Sequence, residues 1–314
     1  MEYFPSHPGG ALANLRGKTL VIPTVGHGNV GQLAVDLMIQ TLVADRVGKN
    51  TSSRVGCLDH ELVLPCVGVC AFARDEVGRS YAGGSSGGVG VTRLDMEQMD
   101  LETQVPRPIC TALEIHGDEK VCPGFLWMQQ RGDCVPGGSK TFSADLCKWI
   151  KEVGIAKVLV IGSLPSTQAT TPEAIGNTRY RYVALVADGE KVNFADDTRW
   201  PAEIPRLEEP QSVADSAPET SVRLTDNLLP PWSILGQLCL QKIDTACLLA
   251  VCSEGDNSLD AAGAANAAGD FLGIEVASVS KRSDGVTDSK KLNKWSVPHS
   301  WATAYGTRRC EMFS

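Results

Sequence analysis

The stretch VIPTVGHGNVGQLAVDLMIQ, residues 21–40, carries glycines at positions 26, 28 and 31 between two regular patterns. Before the glycines, residues 18–25 are mostly apolar and β-branched, which predicts a strand. After them, apolar residues recur every three or four positions, which predicts a helix over 29–45 with Asn29 as its N-cap. The stretch therefore predicts a strand, a tight turn and a helix, which is how an α/β fold begins.

Gly26, Gly28 and Gly31 also match the G-x-G-x-x-G loop by which α/β domains bind dinucleotides. That loop works together with an acid about 20 residues further on, at the end of the next strand, which binds the ribose. Asp45 lies at the end of the predicted helix, and Asp59 follows no clear strand. The glycines are therefore predicted to serve the turn and close helix packing, and a dinucleotide-dependent oxidoreductase using residues 26–31 remains the alternative.

Strands and helices alternate through the first and last thirds of the chain. This alternation predicts an α/β fold with a mixed, mostly parallel central sheet flanked by helices in three layers, as a single domain over residues 1–306. Further strands are predicted at 54–57, 62–69, 110–115, 124–130, 156–163, 181–188 and 245–252. Further helices are predicted from a cap at Ser143 to residue 153, over 231–242 and over the small-residue segment 258–273.

Two segments lack the periodicity of packed elements. Residues 75–92 are rich in glycine and serine, and residues 195–226 are acidic and contain prolines. Both compositions predict flexible insertions. Residues 307–314 are predicted to be a C-terminal tail.

Composition limits the classes of partner. The formal net charge is −8, and no run of lysine and arginine stands out, which argues against nucleic acid and anionic membranes. The N-terminus does not match a signal peptide, and no apolar run is long enough to span a bilayer. The sequence predicts a soluble, cytoplasmic protein, and the nucleus is a second expected location.

The 11 cysteines are an odd number, contain no C-x-x-C pair and mostly lie in apolar surroundings. They predict free, buried thiols in a reducing compartment. Cys57, His60, Cys66 and Cys70 could bind zinc in principle, but their spacing favours ordinary core cysteines.

Glu254, Asp256 and Asn257 lie where a predicted strand meets a predicted helix. Paired carboxylates can perform acid–base chemistry or bind a metal, but residues at this position also cap helices, and capping is the favoured interpretation. The sequence shows no recognisable nucleophile motif near its histidines. A protein without enzymatic activity, cofactor or metal is therefore predicted.

Three motifs resemble the proteasome assembly chaperone 2 family. They are GNVGQLAVDL at residues 28–37, SEGDN at 253–257 after an apolar strand, and WSVPHSW at 295–301. They occur in the same order as in the family and span most of the chain. The resemblance implies an α/β fold and a heterodimer with proteasome assembly chaperone 1. It also implies binding to the 20S proteasome α-ring during its formation, which promotes correct assembly and prevents off-pathway association of rings.

On this resemblance, candidate partner-binding residues are those of the first two motifs and of the chain end. They are Gly28, Asn29, Gln32, Glu254, Asp256, Asn257, Met312, Phe313 and Ser314. The last three resemble the hydrophobic–tyrosine–any-residue ending of proteins that dock on the α-ring, with phenylalanine in place of tyrosine. Trp232, Trp295 and Trp301 are candidate anchors for the core or an interface.

Overall fold

The computed structural model describes residues 1–6, 11–46, 53–66, 68–69, 109–168, 178–183, 186–187, 190–191, 199–207, 231–276, 291–292, 294–298 and 301. The chain divides into two compact units. The larger comprises residues 1–66 and 111–298, and the smaller comprises residues 67–110 and 299–314. The candidate site lies in the larger unit.

Fourteen strands lie in the described parts of the chain. They are β1 Glu2–Pro5, β2 Thr19–Pro23, β3 Arg54–Asp59, β4 Gly68–Val69, β5 Ile109–Cys110, β6 Leu113–His116, β7 Phe125–Gln130, β8 Lys157–Pro165, β9 Tyr180–Val183, β10 Val186–Ala187, β11 Glu190–Lys191, β12 Asp244–Cys252, β13 Lys291–Leu292 and β14 Trp295–Ser296. Eight of them form one sheet in the order β1-β3-β6-β7-β2-β8-β12-β9. The pairs β10–β11 and β13–β14 are separate antiparallel ladders, as is β4–β5, which belongs to the smaller unit.

The centre of the sheet is parallel and its flanks are antiparallel. Strands β7, β2, β8 and β12 pair in parallel, with Thr19 opposite both Phe125 and Lys157, and Leu248 opposite Ile161. The other four pairings are antiparallel. The prediction of a mixed sheet with a mostly parallel core is confirmed. The carboxyl ends of the parallel strands consequently meet at one edge, which we call the carboxyl edge, and their amino ends meet at the opposite amino edge.

Helices cover both faces of the sheet. Helices α1 (Val30–Ile39) and α4 (Ser258–Leu272) pack against each other on one face, and α1 continues as a π-helical turn, Gln40–Ala44. Helices α2 (Ser139–Val153) and α3 (Trp232–Leu240) pack on the other face. Along β8, Val158 and Val160 contribute to the core beneath α2 and α3, so the alternate residues Leu159 and Ile161 face α1.

Several predicted boundaries are shifted. Helix α2 begins at Ser139 and not at Ser143, whose hydroxyl lies within the helix 3.1 Å from Ser233 Oγ. Asn29 does occupy the N-cap position of α1, but its side chain makes no capping hydrogen bond, and its φ of 56° lies in the left-handed region. The terminal strand β1 was not predicted, because four residues that end in a proline carry little pattern.

Part of the segment 195–226, predicted to be a flexible insertion, is packed within the larger unit. Trp200 is buried and stacks on Phe271 and Tyr182, with ring centroids 4.0 and 5.6 Å away. Leu207 N donates to Tyr182 O at 2.8 Å. Residues 199–207 are therefore packed in place, although the acidic composition of the segment predicted flexibility. The insertion 75–92 and the tail 307–314 lie outside the described residues.

Each of the nine cysteines in the described parts is a free thiol, in agreement with the predicted reduced state. Burial raises the pKa of the Cys147 and Cys247 thiols well above its usual range, so both are poor nucleophiles. Among the helices that the structure describes, none is long and apolar enough to cross a membrane.

Candidate functional site

The first two sequence motifs meet at the carboxyl edge. Residues 26–29 follow β2 and residues 253–259 follow β12, and we call these two loops together the crest. Their contact point is Gly28, because a Cβ built there would lie 2.4 Å from Asn257 Nδ2 and 3.0 Å from Cys252 Sγ. Gly28 also has a φ of 63°. Only glycine meets both conditions, so its presence in the motif has a structural cause.

A third chain segment binds the same loop. The carbonyl of His27 accepts a hydrogen bond from Ser163 Oγ at 2.5 Å and another from Cys252 Sγ at 3.4 Å. Ser163 lies near the end of β8, between β2 and β12. The ends of three adjacent parallel strands are therefore joined through one backbone carbonyl, which fixes the loop after β2.

Gly31 permits the close approach of α1 to the sheet. A Cβ at this position would lie 2.3 Å from the carbonyl oxygen of Ile161, which already accepts from Thr24 N at 2.9 Å. Gly26, by contrast, has an extended φ of −156° and 3.3 Å of space to Ser163 Oγ. The predicted structural role of the glycines in turn and packing is therefore seen most clearly at Gly28 and Gly31.

Two side chains at the start of α4 make different hydrogen bonds. Asp256, one residue before the N-cap position, accepts at Oδ1 from Ser258 N at 3.2 Å and from Ser258 Oγ at 2.8 Å, and so pairs with the first N–H of the helix. Asn257 is buried and donates from Nδ2 to Ser253 O at 3.1 Å and to Gly255 O at 3.2 Å. Its side chain thus closes the 253–257 loop on itself instead of capping the helix.

The outer surface of the crest remains open to solvent. Asn29, Glu254 and Asp256 are exposed, and Leu259 leaves 53% of its surface accessible. Glu254 forms no hydrogen bond or ion pair within the described residues. The crest therefore presents two carboxylates and one apolar side chain on a backbone that buried hydrogen bonds hold in place. Such a surface suits recognition of a protein partner better than it suits chemistry, which needs an enclosed site.

Gln32, the remaining candidate on α1, lies at a different place. Its Nε2 donates to Gln130 O at 2.7 Å, and its own carbonyl accepts from Gln129 Nε2 at 2.9 Å. These contacts join α1 to the end of β7. The structure therefore assigns Gln32 to internal packing and does not bring it to the 253–257 loop.

Beside Gln32 lies a cluster of charged groups that the sequence did not reveal. Arg131 joins Asp36 on α1 to Glu114 on β6, with N–O distances of 3.1 and 3.4 Å. Arg54 donates to the other oxygen of Glu114 at 3.1 Å, and His116 Nε2 lies 3.6 Å from Glu114 Oε2. We call Asp36, Arg54, Glu114, His116 and Arg131 the charged cluster.

Glu114 remains ionised although it has no exposed surface. Burial by itself would raise its pKa, but hydrogen bonding and charge from His116, together with Arg131 and Arg54, outweigh burial and lower the pKa from 4.5 to about 2. The cluster thus holds a permanent buried carboxylate. A sequence signal existed in Asp36 and Glu114, which are acids at apolar positions of their helical and strand patterns.

The dinucleotide alternative fails on topology. In a dinucleotide-binding unit, the strand that follows the first helix lies beside the first strand, and its terminal acid faces the bound ribose. Here the neighbours of β2 are β7 and β8, and β3 lies beyond both β7 and β6. Asp59, at the end of β3, is therefore remote from the glycine loop, and the space above Gly28 is filled by Asn257.

Metal-ligand geometry is likewise missing from the described residues, where no group of three or more histidine, cysteine or acidic side chains is arranged so that it could hold a metal ion. His60 instead pairs with Asp145 at 3.0 Å, and its Nδ1 accepts from Leu62 N at 3.1 Å. Cys57 Sγ contacts Phe4 O at 3.9 Å. Cys70, the fourth candidate zinc ligand, lies outside the described residues.

The third motif contributes to the core. Trp295 is fully buried and donates from Nε1 to Asn266 Oδ1 at 2.9 Å, and Ser296 N donates to Thr41 Oγ1 at 2.8 Å. Trp295 therefore anchors the chain after α4 and is inaccessible to a partner. Trp232 packs partly exposed against the core, and Trp301 is buried. Met312, Phe313 and Ser314 lie outside the described residues.

These features define a three-layer α/β protein with a mixed sheet and an ordered, exposed loop surface at its carboxyl edge. The chain belongs to the PAC2 family, whose sequence model matches residues 20–281. The match includes the first two motifs and every element of the eight-stranded sheet except β1 and the first residue of β2.

Relatives over nearly the whole length support the resemblance drawn from the motifs. The chain is 27% identical to human proteasome assembly chaperone 2 over 302 residues, which cover 95% of this chain and 96% of the human protein. The protein of the same name from Xenopus tropicalis is 26% identical, with 92% of each chain covered. The predicted family is therefore confirmed.

Solved structures support the fold. The archaeal proteasome-assembly chaperone homologue PbaA of Pyrococcus furiosus superposes with a TM-score of 0.51 at 11% identity, covering 84% of each chain. The archaeal proteasome activator PbaB of the same organism superposes with a TM-score of 0.50 at 12% identity, covering 88% of this chain and 90% of its own. At these identities the likeness concerns the fold alone.

Proposed function

We propose that this protein is a proteasome assembly chaperone that pairs with a homologue of proteasome assembly chaperone 1. The pair binds the 20S α-ring while the ring forms, promotes correct assembly and prevents off-pathway association of rings. The observation that carries the proposal is the match to proteasome assembly chaperone 2 over 95% of this chain and 96% of the human relative. The protein acts in the cytoplasm, and also in the nucleus.

The crest is the proposed partner-binding surface. Gly28 and Asn257 set its backbone, while Asn29, Glu254 and Asp256 supply exposed polar groups around Leu259. Pre-ordered loops lose little conformational entropy on association, so a small number of contacts suffices for useful affinity. This supports a binding role and requires no catalytic group, cofactor or metal.

The first experiment is affinity purification of the tagged protein from the source lysate, with mass spectrometry of bound chains. We expect a chaperone 1 homologue and α-ring subunits, with few β subunits. The test of the crest is the double variant Glu254→Lys with Asp256→Asn, which should recover less of the partner. The Asn side chain keeps an acceptor for Ser258 N–H, so α4 retains its cap.

A matched control changes the same amount of charge elsewhere. Glu203→Lys with Asp59→Asn alters two exposed acids outside the crest. It should recover the partner as the wild type does. Equal recovery by the crest variant would remove the crest from the proposal, and absence of both protein classes from the wild-type sample would reject the function itself.

The chain end is proposed to contribute separately to α-ring binding. Deletion of Met312, Phe313 and Ser314 should weaken α-ring binding without unfolding the protein, because three terminal residues add little to a core of this size. Binding to the chaperone 1 homologue should be unchanged. Unaltered α-ring binding by the truncated protein would reject a docking role for the tail.

The oxidoreductase alternative has a direct test. A ligand that binds only the folded state raises the melting temperature, so thermal melts with NAD, NADP and flavins should show no stabilisation if the glycine loop is structural. A concentration-dependent rise that Gly28→Ala abolishes would reinstate the alternative.

A further inference from the structure

Cationic residues are distributed unevenly along the three central strands that lead to the crest. No lysine or arginine occurs between Lys18 and Arg46, between Lys157 and Arg179, or between Lys242 and Lys281. Each of these intervals begins with a lysine at the amino end of a parallel strand, namely β2, β8 and β12. Each then crosses the sheet to the carboxyl edge without another cation. The three lysines that open these intervals therefore lie at the amino edge of the sheet.

The structure brings these cations together. The Arg16 side chain lies along Gly154, where a built Cβ would be 3.3 Å from Arg16 Cγ, and Gly17 N donates to Gly154 O at 2.8 Å. Lys151 Nζ in turn donates to Gln241 O at 3.4 Å, next to Lys242. The segments before β2, before β8 and before β12 thus form one continuous surface at the amino edge.

Much of this positive charge is not neutralised. Arg16 and Lys151 are exposed and have no acidic partner within the described residues. Lys148, one turn before Lys151, approaches Glu152 at 3.9 Å with both side chains largely in water, a contact worth well under 1 kcal/mol. Lys18 is tightly paired with Glu119. Arg16 and Lys151 therefore leave positive charge at this edge that no acid within the described residues pairs with.

Apolar side chains accompany the charge. Leu240, the last residue of α3, exposes 56% of its surface, and Leu12, which begins the turn before Arg16, exposes 46%. Exposed leucines beside exposed cations can bind an acidic polypeptide that carries an apolar side chain, because desolvation of leucine adds to the charge attraction. We call this surface the amino-edge patch. Its members are Leu12, Arg16, Lys148, Lys151, Leu240 and Lys242.

We propose that the amino-edge patch is a second interaction surface, which binds an acidic protein segment carrying an apolar side chain. The patch lies at the opposite edge from the crest and bears the opposite charge, so it goes beyond the proposed pairing function. A protein segment fits better than nucleic acid, because the patch contains two exposed leucines and the chain as a whole carries a net charge of −8.

The test measures binding of a labelled probe to the full-length protein by fluorescence anisotropy. The probe is a 16-residue peptide, about the length of a four-turn helix, with glutamates surrounding two leucines at positions i and i+4. The variant is Arg16→Glu with Lys151→Glu. We expect it to weaken binding by at least about tenfold, because each reversal removes an attraction and adds a repulsion. Leu240→Ser should weaken binding about threefold.

The matched control is Lys140→Glu with Arg206→Glu. It reverses two exposed cations outside the patch, and Lys140 lies at the other end of the same helix as Lys151. This control should bind the probe as the wild type does. Milder Arg16→Gln and Lys151→Gln substitutions, with melting curves for every variant, separate lost binding from lost folding.

Three results would overturn the proposal: equal binding by the patch variant and the control, unchanged affinity for a probe with serines in place of leucines, or tighter binding of a single-stranded RNA of equal length. The last result would assign the patch to nucleic acid. The proposed pairing is measured separately, as the recovery of the chaperone 1 homologue in affinity purification of the same patch variant. Failure of the patch test with intact pairing leaves the proposed function standing.

Discussion

The crest and the charged cluster both fix loops and strands with polar side chains, but they do so differently. In the crest, neutral groups donate to backbone carbonyls, as Asn257 does to Ser253 O and Gly255 O, and close approach at Gly28 depends on the missing side chain. In the charged cluster, Glu114 is held by long cationic side chains from β3 and from the residue that follows β7.

This difference determines which substitutions destabilise each region. A glycine in contact with neighbouring backbone or buried side chains tolerates no added atom, since close-packed interiors cannot expand to admit one. A buried carboxylate tolerates a change of shape but not a loss of charge, because its cationic partners would then be left without compensation. The predictions below test these two kinds of dependence.

The largest effect is expected at Gly31. Its replacement by alanine would place a Cβ 2.3 Å from Ile161 O, a backbone atom of the central strand β8 that has little room to shift. Gly31→Ala should therefore lower the free energy of unfolding by about 3 kcal/mol. Urea denaturation monitored by circular dichroism measures the change.

The control lies in the same motif. Gly26→Ala meets Ser163 Oγ at 3.3 Å with an extended backbone, and a shift of a few tenths of an ångström relieves this contact, so it should cost less than about 1 kcal/mol. A smaller effect at Gly31 than at Gly26 would contradict the close approach of α1 to β8.

The second prediction concerns Glu114 and pH. Its pKa is about 2 in the folded protein and 4.5 in the unfolded chain, a difference of about 3 kcal/mol. A depressed folded pKa gives stability that is complete above the unfolded value and is lost as pH falls through the folded value. The wild type should therefore lose this contribution between about pH 4.5 and pH 2.

Glu114→Gln isolates that contribution. The variant should be less stable than the wild type at pH 7 by about 3 kcal/mol, because Arg131 and Arg54 then face a neutral amide. The stability difference between the two proteins should shrink as pH falls toward 2. Urea melts of both proteins at several pH values measure it, and a difference independent of pH would show that Glu114 is not the ionised centre of the cluster.

The sequence predicted each of the two loops of the crest, but not their meeting, because the determinants of each loop are contiguous. The glycines at 26, 28 and 31 mark the turn and the helix contact by themselves, and residues 253–257 mark the junction of a buried strand and a helix. Their meeting follows from the parallel order of β2, β8 and β12, since the carboxyl ends of parallel strands share one edge.

The charged cluster could not be assembled from sequence in the same way. Its members come from α1, β3, β6 and the end of β7, and antiparallel pairing of β6 with β3 and β7 brings them together. Such pairing is not encoded by a short motif. The anchored section 199–207 was missed for a related reason, because the burial of Trp200 depends on Phe271, which is distant in sequence.

The third prediction concerns the contact between the two loops of the crest. Asn257→Ala removes two hydrogen bonds from a buried site and leaves Ser253 O and Gly255 O without that donor, which should cost about 1 to 2 kcal/mol. Because Asn257 also contacts Gly28, amide hydrogen exchange should accelerate in both crest loops.

The exposed Ser253→Ala is the control and should alter exchange only in its own loop. Acceleration confined to 253–257 in the Asn257→Ala protein would separate the two loops that we treat as one surface.

The smallest effect on stability, and the clearest on binding, is expected for the exposed acids of the crest. Glu254→Gln with Asp256→Asn should change the free energy of unfolding by less than about 0.5 kcal/mol, because Glu254 is exposed and the amide at 256 retains an acceptor. The same variant should bind the chaperone 1 homologue several-fold more weakly at low salt, with the difference shrinking at high salt, because exposed charges are screened. Titration calorimetry at two salt concentrations measures the affinity for the chaperone 1 homologue and its dependence on salt. If the variant and the wild type bind with equal affinity at both salt concentrations, the crest is a structural junction whose charges serve only α4. The search for the partner surface would then move to the amino edge.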